Sequence, residues 1–514
     1  MREHNDGANM HSDTIKRILE ARVYDVAVET PVDSSRFLSK RLNNEILYKR
    51  EDLQPVYSFK NRGAYNKLVH LTEAQRNAGV IAASAGNHAQ GVAKGATALG
   101  IRSVIVMPTT TPAIKVNSVR SLGGEVVQFG DTFDEAARHA QALAAEQNLT
   151  FIHPFDDPYT IAGQGTIGME ILRQVAAPID AIFVPVGGGG IAAGVSAYVK
   201  YLRPNTKVIA VEAEDSACLK AAMDAGERVT LSEVGIFADG VAVATIGENT
   251  FEILRHTIDE VITCTTDEMC AAIKDVYDDL RCISEPAGAL SVAGMKKYVE
   301  RHGIENQRLV SIVSGANVNF DRLRHVSERA EIGERREAIL SVQIPEKPGS
   351  FRRFCSKIGQ RNITEFNYRY NDQNAAQIFV GLTLDPASSD RSDLTASLDE
   401  GGFKVTDLTD NELAKVHIRH MVGGHAPSAG SERCYRFQFP ERPGALMKFL
   451  DRLGERWNIS AFHYRNHGAA YGRILCSVQA SEPDQAELES YLDAVGYQYW
   501  DETENPAFKQ FLGA

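Results

Sequence analysis

Residues 181–202 read AIFVPVGGGGIAAGVSAYVKYL, an apolar run, four successive glycines and an amphipathic segment. The run Ala181–Val186 has no polar alternation, so it suits a strand covered on both faces, as in a parallel sheet packed between helices. The glycines allow a tight strand-to-helix turn in which backbone amides can approach a ligand closely. The same sentence recurs outward in both directions. VIAAS precedes HAQGVAKGATAL, SVIVM precedes AIKVNSVRSL, EVVQF precedes DEAARHAQALAAEQ, and VIAVEA precedes ACLKAAMDAG. EILYKRED opens the series ahead of helical GAYNKLVHL, and LVSIVSG closes it. The expectation is an α/β domain with parallel-sheet lobes over residues 15–325, after a disordered, polar N-terminus at 1–14.

Beyond a charged linker expected at 326–337, the texture changes and the chain repeats itself. IPEKPGSFRRFCSKIG matches FPERPGALMKFLDRLG, pairing Pro345 with Pro440, Gly349 with Gly444 and Gly359 with Gly454. ITEFNYR then matches ISAFHYR, pairing Phe366 with Phe462, Tyr368 with Tyr464 and Arg369 with Arg465. Gly402, Asp407, Asn411 and Lys415 pair with Gly496, Asp501, Asn505 and Lys509. Three segments in register, with single-residue slips, indicate duplication. Each copy reads strand–helix–strand–strand–helix–strand, the α+β ferredoxin-like order. The copies span 338–420 and 434–514, joined by a glycine- and proline-bearing linker at 421–433. Pro348-Gly349 and Pro443-Gly444 turn each first strand into a helix.

Composition bounds the function. The chain has 514 residues, 43% hydrophobic and 24% charged, with a formal charge of −12. That charge would be repelled by nucleic acid and by anionic membranes, so neither is expected as a partner. The opening MREHNDGANMHSDT has no apolar core, and no run reaches the roughly 20 apolar residues of a bilayer span. A cytoplasmic location is the expectation. Seven scattered cysteines without a C-x-x-C pair read as reduced core thiols, and no metal is expected.

Three segments carry chemistry. SFKNRGAY puts Lys60 at the mouth of a helix, and SAGNHAQG (Ser84–Gly91) and GGGGIAAG (Gly187–Gly194) each follow an apolar strand. Such turns gather at the carboxyl edge of a parallel sheet, where helix N-termini favour anions. One edge would then offer a phosphate cradle, a second anion site and an amine. A competing pattern is present: Gly187, Gly189 and Ala192 satisfy G-x-G-x-x-A, and Glu212 lies where a dinucleotide fold holds its ribose. That reading leaves Lys60 and SAGNH unexplained.

SFKNRGA, SAGNHAQG, PVGGGGIAAG, EPAGA and SGANVN, in this order, resemble the fold-type II pyridoxal-phosphate enzymes, the tryptophan synthase β-like family, and within it the threonine dehydratases. The tandem repeat resembles their ACT-like regulatory domains, and the resemblance runs from about residue 24 to the C-terminus. It implies pyridoxal 5'-phosphate as cofactor and Lys60 as the catalytic lysine that forms the Schiff base. Asn87 would face the phenolic oxygen, and Gly187, Gly188, Gly189, Gly190 and Ile191 would cradle the phosphate. Ser314 would partner the ring nitrogen. Ser84, Ala85, Gly86 and His88 would hold the substrate carboxylate. A serine cannot keep the ring protonated as a carboxylate would, which favours loss of a β-hydroxyl over transamination. Alanine at 85 lacks the hydroxyl that related racemases use as a base, which also favours dehydration. No Asp, Glu or His in the motifs stands out as proton donor to the leaving hydroxyl. Phe155–Asp157 and Ala162–Thr166 fall where the family's active-site loops line the cleft.

The resemblance further implies L-threonine as substrate, yielding 2-oxobutanoate and ammonia at the committed step of isoleucine formation. Serine would react too, since one methyl in a pocket discriminates by only about 1–3 kcal/mol. Isoleucine would inhibit and valine oppose it, with Tyr368 and Tyr464 closing over the effector, in a homotetramer. The alternative within the class is another β-eliminating or β-replacing enzyme acting on serine derivatives. Outside it stand a nicotinamide-dependent oxidoreductase and a non-catalytic amino-acid sensor. A yellow, borohydride-reducible protein would exclude the oxidoreductase.

Overall fold

The computed structural model describes residues 12–345, 350–359, 361, 363–369, 375–385, 390–420, 431–440, 449, 457–465 and 471–512. The chain divides into two compact units, Met1–Val326 and Ser327–Ala514.

The first unit holds two sheets. Its strands are β1 (Val32–Ser34), β2 (Glu45–Arg50), β3 (Val80–Ala83), β4 (Ser103–Met107), β5 (Glu125–Gln128), β6 (Thr150–Phe151), β7 (Ala181–Pro185), β8 (Lys207–Ala213), β9 (Glu260–Cys264) and β10 (Arg308–Val313). The larger sheet runs β1-β2-β10-β7-β8-β9, parallel except for β1, and the smaller runs β5-β4-β3-β6, parallel throughout. All strands of the smaller sheet thus fall between β2 and β7, so the chain leaves the larger sheet and returns to it. Both faces of each sheet are core. In β8, Val208 and Ala210 join one hydrophobic cluster while Ile209 and Val211 join another. In β3, Val80 and Ala82 face one way and Ile81 and Ala83 the other. A strand with no solvent face has no use for polar alternation, hence the continuous Val/Ile runs.

One expectation needs correction. Ala162–Thr166 is no cleft loop but the buried interior of the helix Pro158–Gln174, N-capped by Asp157. Its glycines are packing devices: a Cβ on Gly163 would lie 2.7 Å from the Arg62 carbonyl oxygen, and one on Gly165 would strike Ile18 at 2.5 Å.

The second unit holds the duplicated module. β11 (Glu337–Pro345), β12 (Ile363–Arg369), β13 (Ala375–Thr383) and β14 (Lys404–Asp407) pair antiparallel in the order β12-β13-β11-β14. β15 (Glu432–Pro440), β16 (Asn458–Arg465), β17 (Tyr471–Gln479) and β18 (Tyr499–Asp501) repeat it as β16-β17-β15-β18. Even the irregularities correspond, at Ile363/Glu365 and at Ile459/Ala461. Each sheet packs one face within its own copy and the other against the second copy, where Ile339 and Phe379 meet Cys434 and Leu475. The equivalent caps Asn411 and Asn505 bond to each other at 3.1 Å, as residues on a local two-fold axis do. Residues 326–333 continue a helix that starts at Arg322, and Glu337 already belongs to β11. The two Pro-Gly turns, most of the linker at 421–433 and the side chains of Tyr368 and Tyr464 lie outside the described residues. The tyrosine backbones pair with Ile378 and Ile474.

Candidate active site

Three chain segments are stitched together at the carboxyl edge of the larger sheet. Ser58 bridges to Gly315, the Phe59 amide donates to the Ser314 carbonyl at 3.3 Å, and the Ala316 amide donates to the Tyr57 carbonyl at 2.9 Å. The loop after β10 therefore runs beside the residues that lead into the helix Lys60–Val69. The helix Asn87–Ala98 crosses at Gly91, where a Cβ would sit 3.0 Å from the Lys60 carbonyl oxygen. These two contacts bring Lys60, Asn87 and Ser314 together from positions far apart in sequence.

Lys60 is the first residue of its helix, and its Nζ donates to the Pro154 carbonyl at 3.2 Å. Burial pushes its pKa down to about 8, with only Glu285 pulling the other way. An amine with that pKa is about one-tenth neutral at pH 7, against roughly one part in two thousand for an ordinary lysine, and the neutral form is the nucleophile or base. Ser314 is buried, its Oγ donating to the Ala287 carbonyl at 3.2 Å.

Asn87 is held at both ends of its amide. Nδ2 donates to Glu285 Oε1 at 2.6 Å, and Oδ1 accepts from Asn317 Nδ2 at 2.7 Å. Glu285 precedes the helix Pro286–His302 and is buried. Burial and the neighbouring Asp239 push its pKa up to about 7, against Lys115, the Asn87 bond and Arg322. Asp239 itself is ion-paired to Lys115 at 2.6 Å and to Arg322 at 3.4 Å. Sequence reading missed Glu285, Asn317 and this charged surround. EPAGA and SGANVN were the only local signals, and neither reveals that the two meet over Asn87.

The glycine loop after β7 enters the helix Gly190–Leu202 through Gly189, whose φ of +92° favours glycine. A Cβ on Gly188 would lie 2.2–2.3 Å from the Phe155 ring, and Thr250 Oγ1 donates to the Gly188 carbonyl at 2.7 Å. The first amides of a helix have no intrahelical partner, and here no capping side chain takes them up. Ile191 has its side chain in the core.

In the turn after β3, the Gly86 amide donates to Ser84 Oγ at 3.3 Å, and a Cβ on Gly86 would meet nothing within 4 Å. Ser84, Ala85 and Gly86 are all half-buried. The His88 ring is turned inward. Its Nε2 lies 2.9 Å from the Ile152 carbonyl, and burial, then Lys60, pushes its pKa down to about 3. The carbonyl only accepts, so Nε2 carries the proton, and His88 can serve an anion only through its amide. His153 stands nearby, with Nδ1 accepting from the Asp156 amide at 2.8 Å.

Glu212 settles the competing pattern. It is fully buried, and its two oxygens accept from the Leu219 and Lys220 amides at 2.7 and 2.8 Å. That carboxylate caps the helix Cys218–Ala225 and, with no exposed surface, is closed to a ribose. Among the described residues no group of three His, Cys, Asp or Glu could hold a metal ion.

The donor set suits a phosphorylated aromatic aldehyde. It comprises a lysine with lowered pKa, uncapped helix amides with no Lys or Arg in the loop, a buried hydroxyl and an oriented amide.

Residues 23–315 match the family of pyridoxal-phosphate dependent enzymes, and residues 328–418 and 423–512 each match the C-terminal regulatory domain of threonine dehydratase. The chain is 57% identical over 503 residues to the L-threonine dehydratase biosynthetic IlvA of Burkholderia multivorans, covering 97% of this chain and 99% of the relative. It is 53% identical over 506 residues to the Escherichia coli protein of the same name, covering 98% of each. The processed form of threonine deaminase isoform 2 from Solanum lycopersicum superposes with a TM-score of 0.62 at 49% identity, over 63% of this chain and 94% of that one.

Proposed function

The chain belongs to the pyridoxal-phosphate-dependent threonine dehydratases, and on that footing we propose that Lys60 is its catalytic lysine and that isoleucine controls it through the C-terminal repeats. The observation that carries the catalytic part is Lys60 itself: an amine with a pKa near 8 where the helix after β3 of the smaller sheet meets the loop after β10 of the larger.

When bound, the cofactor supplies a carbonyl that takes up an amine and a conjugated ring that accepts the electron pair left at Cα. Lys60 Nζ would hold that carbonyl and, as a free neutral amine, would take up the Cα proton. The amides of Gly187, Gly188, Gly189, Gly190 and Ile191 would hold the phosphate at a helix N-terminus without a buried counter-charge. Asn87 would donate to the phenolic oxygen, and Ser314 Oγ would partner the ring nitrogen. The turn Ser84, Ala85 and Gly86, with the His88 amide, holds the substrate carboxylate. Ala85 leaves the opposite substrate face without a base, which disfavours racemisation.

L-Threonine is converted to 2-oxobutanoate and ammonia at the committed step of isoleucine formation. L-Serine also reacts, giving pyruvate, because the pocket gains little from one methyl. Isoleucine inhibits and valine opposes it by binding at the repeats, where Tyr368 and Tyr464 sit at equivalent strand positions. The working protein is a cytoplasmic homotetramer. The repeats carry this assignment through their match to a threonine dehydratase regulatory domain.

The test is 2-oxobutanoate formation from threonine by the full chain, with and without isoleucine and valine, beside Lys60→Ala. Turnover by Lys60→Ala near the wild-type rate ends the Lys60 assignment. Indifference of the wild type to both effectors ends the regulatory one.

A further inference from the structure

Asn87, Asn317 and Glu285 form a hydrogen-bond chain with acceptors at both ends. Asn317 Nδ2 donates to the Val56 carbonyl at 2.8 Å and to Asn87 Oδ1 at 2.7 Å. The carbonyl can only accept, so Asn317 cannot turn its amide over, and both its N–H groups are committed. Asn87 must then present its oxygen to Asn317 and its nitrogen to Glu285, at 2.6 Å. One N–H of Asn87 Nδ2 is thereby spent and one is left over. Gly315 makes room for the carboxylate, since a Cβ there would lie 2.4 Å from Glu285 Oε1.

We propose that Glu285 is a positioning residue, which with Asn317 locks the Asn87 amide so that its one remaining N–H faces the cofactor's phenolic oxygen. This rests on the reading of Asn87 as that oxygen's partner. An asparagine amide can flip end over end with little change in shape, and a flipped Asn87 would set a carbonyl against the phenolic oxygen, repelling it. Asn317 opposes that alternative by offering Asn87 only an N–H, and Glu285 reinforces the constraint when ionised, because a carboxylate has no hydrogen to offer a carbonyl. Its raised pKa of about 7 marks a carboxyl whose burial is balanced by few partners, Asn87 among them. Lys60, Asp239, Lys115 and Arg322 are the other charged groups facing it.

The test uses the full-length protein and two readouts besides turnover: equilibrium binding of pyridoxal phosphate to the apoprotein, and the absorption spectrum of the reconstituted protein. The variants are Asn87→Ala, Glu285→Leu, Glu285→Gln, Asn317→Ala and the double variant Asn87→Ala/Glu285→Leu. Loss of one hydrogen bond should weaken binding about tenfold in Asn87→Ala. Glu285→Leu and Asn317→Ala should weaken it comparably and move the absorption band in the same direction. Glu285→Gln keeps an acceptor oxygen and should retain most of the affinity. The double variant should bind no worse than Asn87→Ala, because Glu285 acts only through Asn87. The inference is overturned if Glu285→Leu and Asn317→Ala bind normally while Asn87→Ala does not, or if the losses in the double variant add. Normal binding and spectrum in Asn87→Ala would instead overturn the underlying reading of Asn87, and the positioning role with it.

Discussion

Two residues beyond Lys60 lies a buried charge cluster whose disruption should loosen the helix that carries the lysine. Arg62 is fully buried. It donates to Glu51 through Nε and Nη2, both at 2.8 Å, and to Glu170 through Nη1 and Nη2 at 2.6 and 2.9 Å. Lys49 completes the group, 2.6 Å from Glu170 and equally buried. Two positive and two negative side chains cancel, so the cluster is neutral, and it ties β2, the Lys60 helix and the helix Pro158–Gln174 together. Arg62→Met keeps much of the volume but leaves a net charge of −1 with no water to screen it. Removing one partner of a buried, hydrogen-bonded ion pair costs about 3–5 kcal/mol. Hydrogen–deuterium exchange in peptides covering Lys60–Val69 reads that cost as local opening, without requiring reversible unfolding. Exchange there should accelerate by roughly a hundredfold to several-thousandfold, at 1.4 kcal/mol per tenfold.

The pH dependence separates charge from packing. Burial opposes the Glu170 carboxylate, but the bonds and charge of Arg62, with Lys49, overcome it and hold its pKa below the ordinary value. A depressed acid pKa contributes stability above the unfolded pKa and loses it as pH falls through the folded one. Without Arg62, burial prevails and the group takes up a proton. The variant's deficit relative to wild type should therefore shrink from pH 8 to pH 6, after correction for intrinsic exchange. Adding Glu51→Gln restores neutrality and should recover part of the loss. An acceleration below tenfold, or a deficit indifferent to pH, would refute the electrostatic account.

The Lys60 amine of the apoprotein should react with an amine-directed acylating reagent with a half-point near pH 8, faster above it, well below an ordinary lysine; a half-point above 10, followed by peptide mass spectrometry, would contradict it. Gly188→Val must displace the Phe155 ring, 2.2–2.3 Å from any Cβ there, and should weaken pyridoxal phosphate binding at least tenfold by equilibrium titration. Ser314→Asp should hold a proton on the ring nitrogen, seen as a shifted cofactor band and as new transamination products by mass spectrometry. Tyr368→Leu and Tyr464→Leu should move the isoleucine inhibition midpoint severalfold in steady-state assays, with uninhibited turnover little changed.

What the sequence determined alone is whatever is written in neighbouring residues. Buried parallel strands must be apolar runs, and the turns after them must be glycine-rich to admit a ligand, so VIAAS-AGNH and AIFVPV-GGGG announce both fold and site. The duplication is legible for the same reason, because equivalent positions face equivalent local demands. Only tertiary structure decided the rest. Glycines at 163, 165 and 168 lower helix propensity, yet the segment is helical because close packing against the Lys60 and Gly190 helices outweighs about 1 kcal/mol per glycine. Glu212 and Glu285 look alike in sequence, each an acid beside small residues, and burial pushes both up to about 7. One is consumed by two helix amides and the other holds Asn87. That difference comes from which groups the fold brings to within 3 Å, a long-range outcome that no local spacing encodes.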